Sequence, residues 1–209
     1  MTQGHNPTGA PDHDVVPGAP VAHVTPADTA EGPGWQVRPA SPRDVPHILA
    51  MVRELAEYER SAHEVVTTEE SLAGLLFGST TPSGIPAAFC HVIEDPASQD
   101  GALAAFALWF LNTSTWTGRH GIYLEDLYVR PGFRGLGFGQ RLMATLASIC
   151  IERGYPRLEW SVLDWNTPAL EFYRTLGARA MDEWTVHRLS GAALRELAAT
   201  GNRGTPQVQ

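Results

Sequence analysis

IYLEDLYVRPGFRGLGFGQRLMATLASICIER, residues 122–153, carries the pattern of a strand, a glycine-rich turn and a helix. The aliphatic and aromatic residues of 122–129 predict the strand. Apolar residues then recur at the spacing of one helix face, and Gly154 is typical of a helix end, so a helix is predicted over 137–153. The turn RGLGFG, residues 134–139, lies directly between the two elements.

This turn has the properties of an anion site. Glycine backbone can approach a ligand closely, and the helix start behind it has unpaired N–H groups and a partial positive charge. These features predict binding of a pyrophosphate, to which Arg134 adds a cation. The chain has no lysine, which excludes a Walker A loop, and the G-x-G-x-G spacing is not the dinucleotide fingerprint. A tight connection without a ligand stays open as the alternative.

Further elements are predicted on both sides of this unit. Three strands form an antiparallel meander, and the helix between the fourth and fifth strands makes that pair parallel and right-handed. The expected fold is therefore α/β, with flanking helices and a mixed, mostly antiparallel sheet of six to seven strands. The predicted strands are 35–39, 88–93, 102–111, 122–129, 157–163 and 178–189, and the predicted helices are 41–58, one starting at Thr68, 137–153, 166–176 and 191–199.

Composition sets the domain organisation. Of the 209 residues, 43% are hydrophobic, which suffices for one core. Residues 1–34 are rich in Pro, Gly, Ala, Asp and His without apolar periodicity, so a disordered tail is expected before a single domain over 35–199. A second flexible tail is expected over 200–209.

Charge and cysteine usage exclude several classes of function. The 23 acidic residues outnumber the 15 basic ones, all arginine, which disfavours nucleic acid and anionic membranes and permits cationic substrates. Neither an apolar run of membrane-spanning length nor a secretory signal is visible, so a cytoplasmic protein is expected. Cys90 and Cys150 stand apart from each other and from any His cluster, so no metal site is predicted.

A second motif, NTPALEFYRTLGA at 166–178, follows the fifth predicted strand. Together with R-x-x-G-x-G from Arg134, in this order and spacing, it resembles the GNAT superfamily of N-acetyltransferases. LAEYE at 55–59, WTG at 116–118, YLEDLYV at 123–129 and DWN at 164–166 resemble more narrowly the spermidine/spermine (diamine) and thialysine acetyltransferases. Ser114 departs from that branch, whose animal polyamine enzymes carry an acidic residue there.

The resemblance implies acetyl-CoA as cosubstrate and a homodimer. The implied cofactor-binding residues are Leu127, Tyr128, Val129, Arg134, Gly135, Leu136, Gly137, Phe138, Gly139, Gln140, Asn166, Thr167, Pro168, Ala169 and Tyr173. The implied substrate-binding residues are Tyr58, Glu59, Trp116, Glu125, Asp126 and Glu159. In this branch Glu125 would be the proton acceptor, and Tyr173 would face the cofactor sulfur.

The chemistry explains why such groups are needed. An alkylammonium has a pKa near ~10 and attacks only after losing its proton, which Glu125 can accept directly or through water. The Tyr173 phenol can protonate the leaving thiolate, and a backbone N–H between Leu127 and Val129 can stabilise the oxyanion. In a regular strand Asp126 would face away from Glu125, whereas a bulge would change this.

Simpler interpretations remain for each residue: strand-end charge for Glu125 and Asp126, a core aromatic for Tyr173, and loop packing for Trp116. The predicted function is direct acetyl transfer to a primary amine of a small cationic acceptor, polyamine-like or diamine-like. The alternatives are another amine (a thialysine-like amino acid, an antibiotic or a protein N-terminus) and a non-catalytic acyl-CoA-binding module.

Overall fold

A computed structural model describes residues 35–78 and 86–201 of this chain. The predicted tail 1–34 lies outside the described residues, as do most of the loop 78–86 and the last eight residues of the predicted tail 200–209. Thr200 and Gly201 belong to the last helix.

Helices and strands follow one another in nearly the predicted order. The elements are β1 (Val37–Pro39), α1 (Val45–Tyr58), α2 (Glu69–Phe77), β2 (Phe89–Glu94), β3 (Leu103–Ser114), β4 (Arg119–Val129), α3 (Phe138–Arg153), β5 (Leu158–Trp160), α4 (Thr167–Thr175) and α5 (Gly191–Gly201).

The strands form one mixed sheet in the order β1-β2-β3-β4-β5. The first four strands pair antiparallel, and β4 pairs parallel with β5. The mixed α/β fold with a parallel β4–β5 pair is therefore confirmed. One core cluster packs α1 and α2 against one face of the sheet around Phe106, and a second packs α3 against the other face around Phe138.

A buried ion pair anchors the start of α1. The Asp44 side chain is only 1% exposed and accepts hydrogen bonds of 2.8 Å from both terminal nitrogens of Arg38 and one of 2.7 Å from the Ser41 N–H. Burial acts to raise the pKa of the Asp44 carboxyl, but the bonds from Arg38 and Ser41 outweigh it and lower the pKa to about 2. The predicted helix start at Ser41 is thus joined to the sheet through β1.

Two predictions about the sheet are wrong. The described residues contain five strands rather than six to seven, and residues 178–189 form turns and irregular chain instead of a strand. The aromatic and β-branched residues there have strand propensity, but a strand also needs a hydrogen-bonding neighbour, which propensity cannot supply. The last paired strand of the described sheet, β5, is itself only three residues long.

Candidate active site

The glycine-rich turn gives α3 an open N-terminus. Gly135 and Gly137 both have φ of 79°, a left-handed conformation that favours glycine. Gly137 is the N-cap of α3 and makes no side-chain cap, so the first N–H groups of the helix have no partner within it. Such a helix start attracts anions.

Gly139 has a different role, because it lets two helices approach. A methyl group added at this position would meet the Phe172 ring of α4 at 3.3 Å. The close approach of α3 and α4 brings the second motif beside the glycine-rich turn.

A cavity of about 540 Å³ opens between α1, the end of β4, the turn and α4. Its size and mostly apolar lining suit an organic ligand. Thirteen of the fifteen predicted cofactor-binding residues line it: Leu127, Tyr128, Val129, Arg134, Gly135, Gly137, Phe138, Gly139, Gln140, Asn166, Pro168, Ala169 and Tyr173. The other two, Leu136 and Thr167, lie in the same two segments but do not line it.

Sequence reasoning missed several lining residues, namely Leu55, Phe133, Phe172, Thr175 and Leu176. Leu55, Phe172, Thr175 and Leu176 lie within the two quoted motifs at 55–59 and 166–178, and Phe133 lies in the turn before Arg134. Nothing in those patterns distinguishes a residue that lines a cavity from one that packs in the core. Tyr58, predicted as a substrate contact, also lines this cavity.

The end of β4 presents free backbone to the cavity. Pairing with β5 stops at Leu124, opposite Trp160. The Arg130 N–H donates to Ala104 of β3 at 3.0 Å. Because N–H groups alternate sides along a strand, those of Leu127 and Val129 point toward the unpaired edge.

A smaller acidic cavity of about 70 Å³ adjoins the large one. Five residues line both cavities: Leu55, Leu127, Asn166, Ala169 and Tyr173. Three carboxylates line the small one, from Glu59, Glu125 and Asp126. Predicted acceptor residues and predicted cofactor residues therefore meet at a shared wall.

A β-bulge brings Glu125 and Asp126 to the same cavity. Leu108 of β3 pairs with Asp126, whereas the next residue, Trp109, pairs with Leu124, so Glu125 is the extra residue. In an unbroken strand the two side chains would point to opposite faces. The β-bulge that the sequence left open as a possibility at Glu125 and Asp126 is therefore present in the structure.

Burial and mutual repulsion perturb these carboxylates. Burial, then the charges of Glu125 and Glu59, raise the pKa of Asp126 to about 7. Burial also raises the pKa of Glu59. A carboxyl with a pKa near 7 exchanges its proton at neutral pH, which is unusual for aspartate and typical of functional sites.

Tyr173 lies where the two cavities meet. Its ring packs 4.7 Å from Trp160 and 5.2 Å from Phe172, measured between ring centres. Burial, and secondly the charge of Glu59, raise the pKa of the Tyr173 phenol to about 12. The hydroxyl therefore carries its proton at neutral pH and can donate it.

Two predicted substrate residues are not brought to this site. Trp116 is 78% exposed in the β3–β4 turn, about 20 Å along the hairpin from the bulge at 3.3 Å per residue. Glu159 accepts a hydrogen bond of 2.6 Å from Asn112 and pairs with Arg157 at 2.8 Å. Neither residue lines either cavity.

A hydrogen bond across the large cavity joins its two walls. This bond was not predicted from the sequence. The Tyr58 hydroxyl at the end of α1 donates to Asn166 Oδ1 at 3.1 Å. The same oxygen accepts the Ala169 N–H at 3.4 Å and caps α4. Arg134 donates to the Val129 carbonyl at 3.1 Å, and its guanidinium lies 5.5 Å from the Tyr58 ring.

The described residues contain neither a candidate metal cluster nor a candidate membrane-spanning helix. Within 35–78 and 86–201, no group of three His, Cys, Asp or Glu side chains could hold a metal ion. Over the same described ranges, no helix has the length and apolar character needed to cross a membrane.

Comparison with known proteins identifies the family. The acetyltransferase (GNAT) family model matches residues 50–178. Thialysine N-epsilon-acetyltransferase of Sus scrofa is 40% identical over 78% of this chain and 96% of that protein. The L-ornithine N5-acetyltransferase NATA1 of Arabidopsis thaliana is 31% identical over 91% of this chain and 96% of that protein.

A human relative supports the predicted branch, and a solved structure supports the fold. The spermidine/spermine N(1)-acetyltransferase-like protein 1 of Homo sapiens is 29% identical over 78% of this chain and 24% of its own length. The Vibrio cholerae integron cassette protein VCH_CASS6 aligns with a TM-score of 0.62 at 24% identity, covering 80% of this chain and 99% of that one. The chain belongs to the GNAT family of acetyltransferases, in the branch that holds the thialysine and spermidine/spermine enzymes.

Proposed function

We propose that this chain transfers the acetyl group of acetyl-CoA directly to a terminal primary amine of a small cationic acceptor. The observation that carries the proposal is the junction of the two cavities: an apolar cavity beside an open helix start meets an acidic cavity at Tyr173. Family membership supplies the reaction class.

The large cavity fits the cosubstrate. The uncapped N–H groups of α3 and the left-handed glycines Gly135 and Gly137 suit a diphosphate. The edge N–H groups of Leu127 and Val129 suit the amide carbonyls of a pantetheine arm or the thioester oxygen. Leu55 and Phe172 supply apolar contacts to the arm.

In the small cavity the carboxylates act on the amine. Glu59 and Asp126 attract the ammonium, and Glu125 accepts its proton directly or through one water. The freed amine nitrogen forms the bond to the acetyl carbon as the bond from that carbon to sulfur breaks. Tyr173 donates its proton to the departing thiolate, and the second proton, which the nitrogen loses once it is acetylated, restores the phenol and completes the proton balance.

The acceptor class has two versions. Relatives named for thialysine and ornithine favour the side-chain amine of a basic amino acid, whereas the spermidine/spermine-like relative favours a polyamine or diamine. Both present a terminal primary amine on a short flexible chain, which the acidic cavity can accept.

A panel of amines assayed with acetyl-CoA by thiol release tests the function. We expect turnover on small diamines or basic amino acids, and a loss of about 10²-fold or more in kcat for Tyr173→Phe and for Glu125→Gln with unchanged far-UV circular dichroism. A preference for a peptide N-terminus, or full activity in both variants, would contradict the proposal. Tight acetyl-CoA binding without turnover on any amine would indicate a binding module instead.

A further inference from the structure

Arg60 ends α1 in a backbone conformation that arginine rarely adopts. Its φ is +62°, and it is the non-glycine residue of the described chain with positive φ. The Arg60 N–H donates to Glu57 at 3.1 Å and the Ser61 N–H donates to Ala56 at 2.8 Å. This is the Schellman pattern of a helix end, in which the left-handed position is usually glycine. Arg60 therefore occupies a position whose backbone conformation favours glycine.

The Arg60 guanidinium lies against the Trp165 ring, next in sequence to Asn166, which lines both cavities. Its central carbon is 5.5 Å from the centre of the Trp165 ring, and Trp165 directly precedes the cap of α4. The preceding residue, Glu59, lines the acidic cavity. Among the residues that the structure describes, no carboxylate lies within 4.0 Å of this guanidinium, so it is held by an aromatic face without an ion-pair partner.

We propose that Arg60 determines acceptor specificity by binding the α-carboxylate of a basic amino acid whose terminal amine occupies the acidic cavity. The inference rests on the proposed function and narrows its acceptor class. A guanidinium binds a carboxylate through two parallel hydrogen bonds, and an aromatic ring beneath it keeps its plane oriented.

The second charge of the acceptor is what Arg60 distinguishes. A diamine carries a bare ammonium at its second end, which Arg60 repels, whereas an amino acid carries a carboxylate beside its α-ammonium, and Arg60 can bind that carboxylate. Three carboxylates at the cavity attract the terminal ammonium of either acceptor. The attraction of the terminal ammonium is therefore common to diamines and basic amino acids. Arg60 distinguishes the two classes by the charge at the opposite end of the acceptor.

Matched acceptor pairs provide the test. Ornithine and 1,4-diaminobutane differ only by the carboxylate, as do thialysine and bis(2-aminoethyl) sulfide. We expect the wild-type protein to have the higher kcat/KM for the amino acid of each pair. Arg60→Gly should lower the amino-acid to diamine ratio of kcat/KM by about tenfold or more, mainly through KM, because a charge-assisted hydrogen bond is lost.

Loss of fold should not account for the effect of Arg60→Gly. Glycine fits the left-handed position better than arginine, so the Tm of Arg60→Gly should not fall. Arg60→Lys should keep part of the preference. Arg53→Gln removes an equal charge from an exposed position of α1 and should leave the ratio unchanged.

Each result has a distinct meaning. An unchanged ratio in Arg60→Gly, a wild-type preference for the diamine, or an equal change in Arg53→Gln would overturn the assignment of Arg60 while leaving the proposed function intact. Absence of turnover on all four acceptors would overturn the proposed function and this inference with it.

Discussion

Replacing Asp126 with asparagine should stabilise the fold above neutral pH while weakening the enzyme. The folded protein holds the Asp126 proton with a pKa of about 7, against an ordinary value of 3.8. Since the folded state binds this proton more tightly than the unfolded state, the wild-type free energy of unfolding falls as pH rises from about 4 to about 7. Below that window the carboxyl is neutral in both states.

The size of the effect follows from that window. Each pH unit contributes about 1.4 kcal/mol, so ionised Asp126 destabilises the fold by up to roughly 4 kcal/mol above pH 7. Asparagine has nearly the same shape and no charge, so Asp126→Asn removes this term and relieves the repulsion from Glu125 and Glu59. A gain of 1 kcal/mol already raises Tm by about 2–4 °C in a protein of this size.

Thermal unfolding of both proteins at pH 4 to 8 measures the effect. The Tm difference should be near zero at pH 4 and grow in favour of Asp126→Asn up to about pH 7. The KM of Asp126→Asn for the cationic acceptor should exceed the wild-type value only near and above pH 7, where Asp126 of the folded protein ionises and the variant lacks one attracting charge. Asp182→Asn, which removes an exposed carboxylate after α4, is the matched control. A Tm difference that stays constant with pH would refute the reasoning.

Two further substitutions test the turn and the anchor of α1. Gly137→Ala forces a side chain into φ of 79° and should lower the free energy of unfolding by about 1 kcal/mol and raise the Kd for acetyl-CoA. Gly132→Ala, which meets open space without positive φ, should do neither, and equal effects in the two would contradict the role of Gly137. Asp44→Asn should lower the free energy of unfolding in urea by about 1–3 kcal/mol, because Arg38 loses one of its two carboxylate partners and keeps only Glu94. The wild type should lose this contribution as pH falls from about 4 toward 2, so the stabilities of the two proteins should converge there. A stability difference that stays constant down to pH 2 would contradict the role of the ion pair.

Features that depend on residues close together in the sequence could be predicted. Features that depend on contacts between distant residues could not. The turn from Arg134 and its helix could be predicted because glycines and apolar spacing act within a few residues. Whether Glu125 and Asp126 share a cavity depends on the register between β3 and β4. The sequence of β4 alone does not determine that register. The hydrogen bond between Tyr58 and Asn166 joins residues 108 positions apart. The strand predicted over 178–189 does not form, because strand propensity does not show whether a neighbouring strand is present to pair with it.

The bulge and the end of β5 together explain why the site lies where it does. Pairing between β4 and β5 stops at Leu124, and the extra residue of the bulge is the next one, Glu125. Beyond that point one edge of β4 has no strand partner among the described residues, and we propose that its N–H groups bind the cosubstrate. The bulge turns two carboxylates toward the small cavity proposed for the acceptor. A regular β4 paired along its full length would lose both features at once. The proposed placement of the cosubstrate beside the amine therefore depends on the bulge at Glu125 as well as on the end of β5, and a deletion that restores regular register should abolish turnover even if acetyl-CoA still binds at the α3 turn.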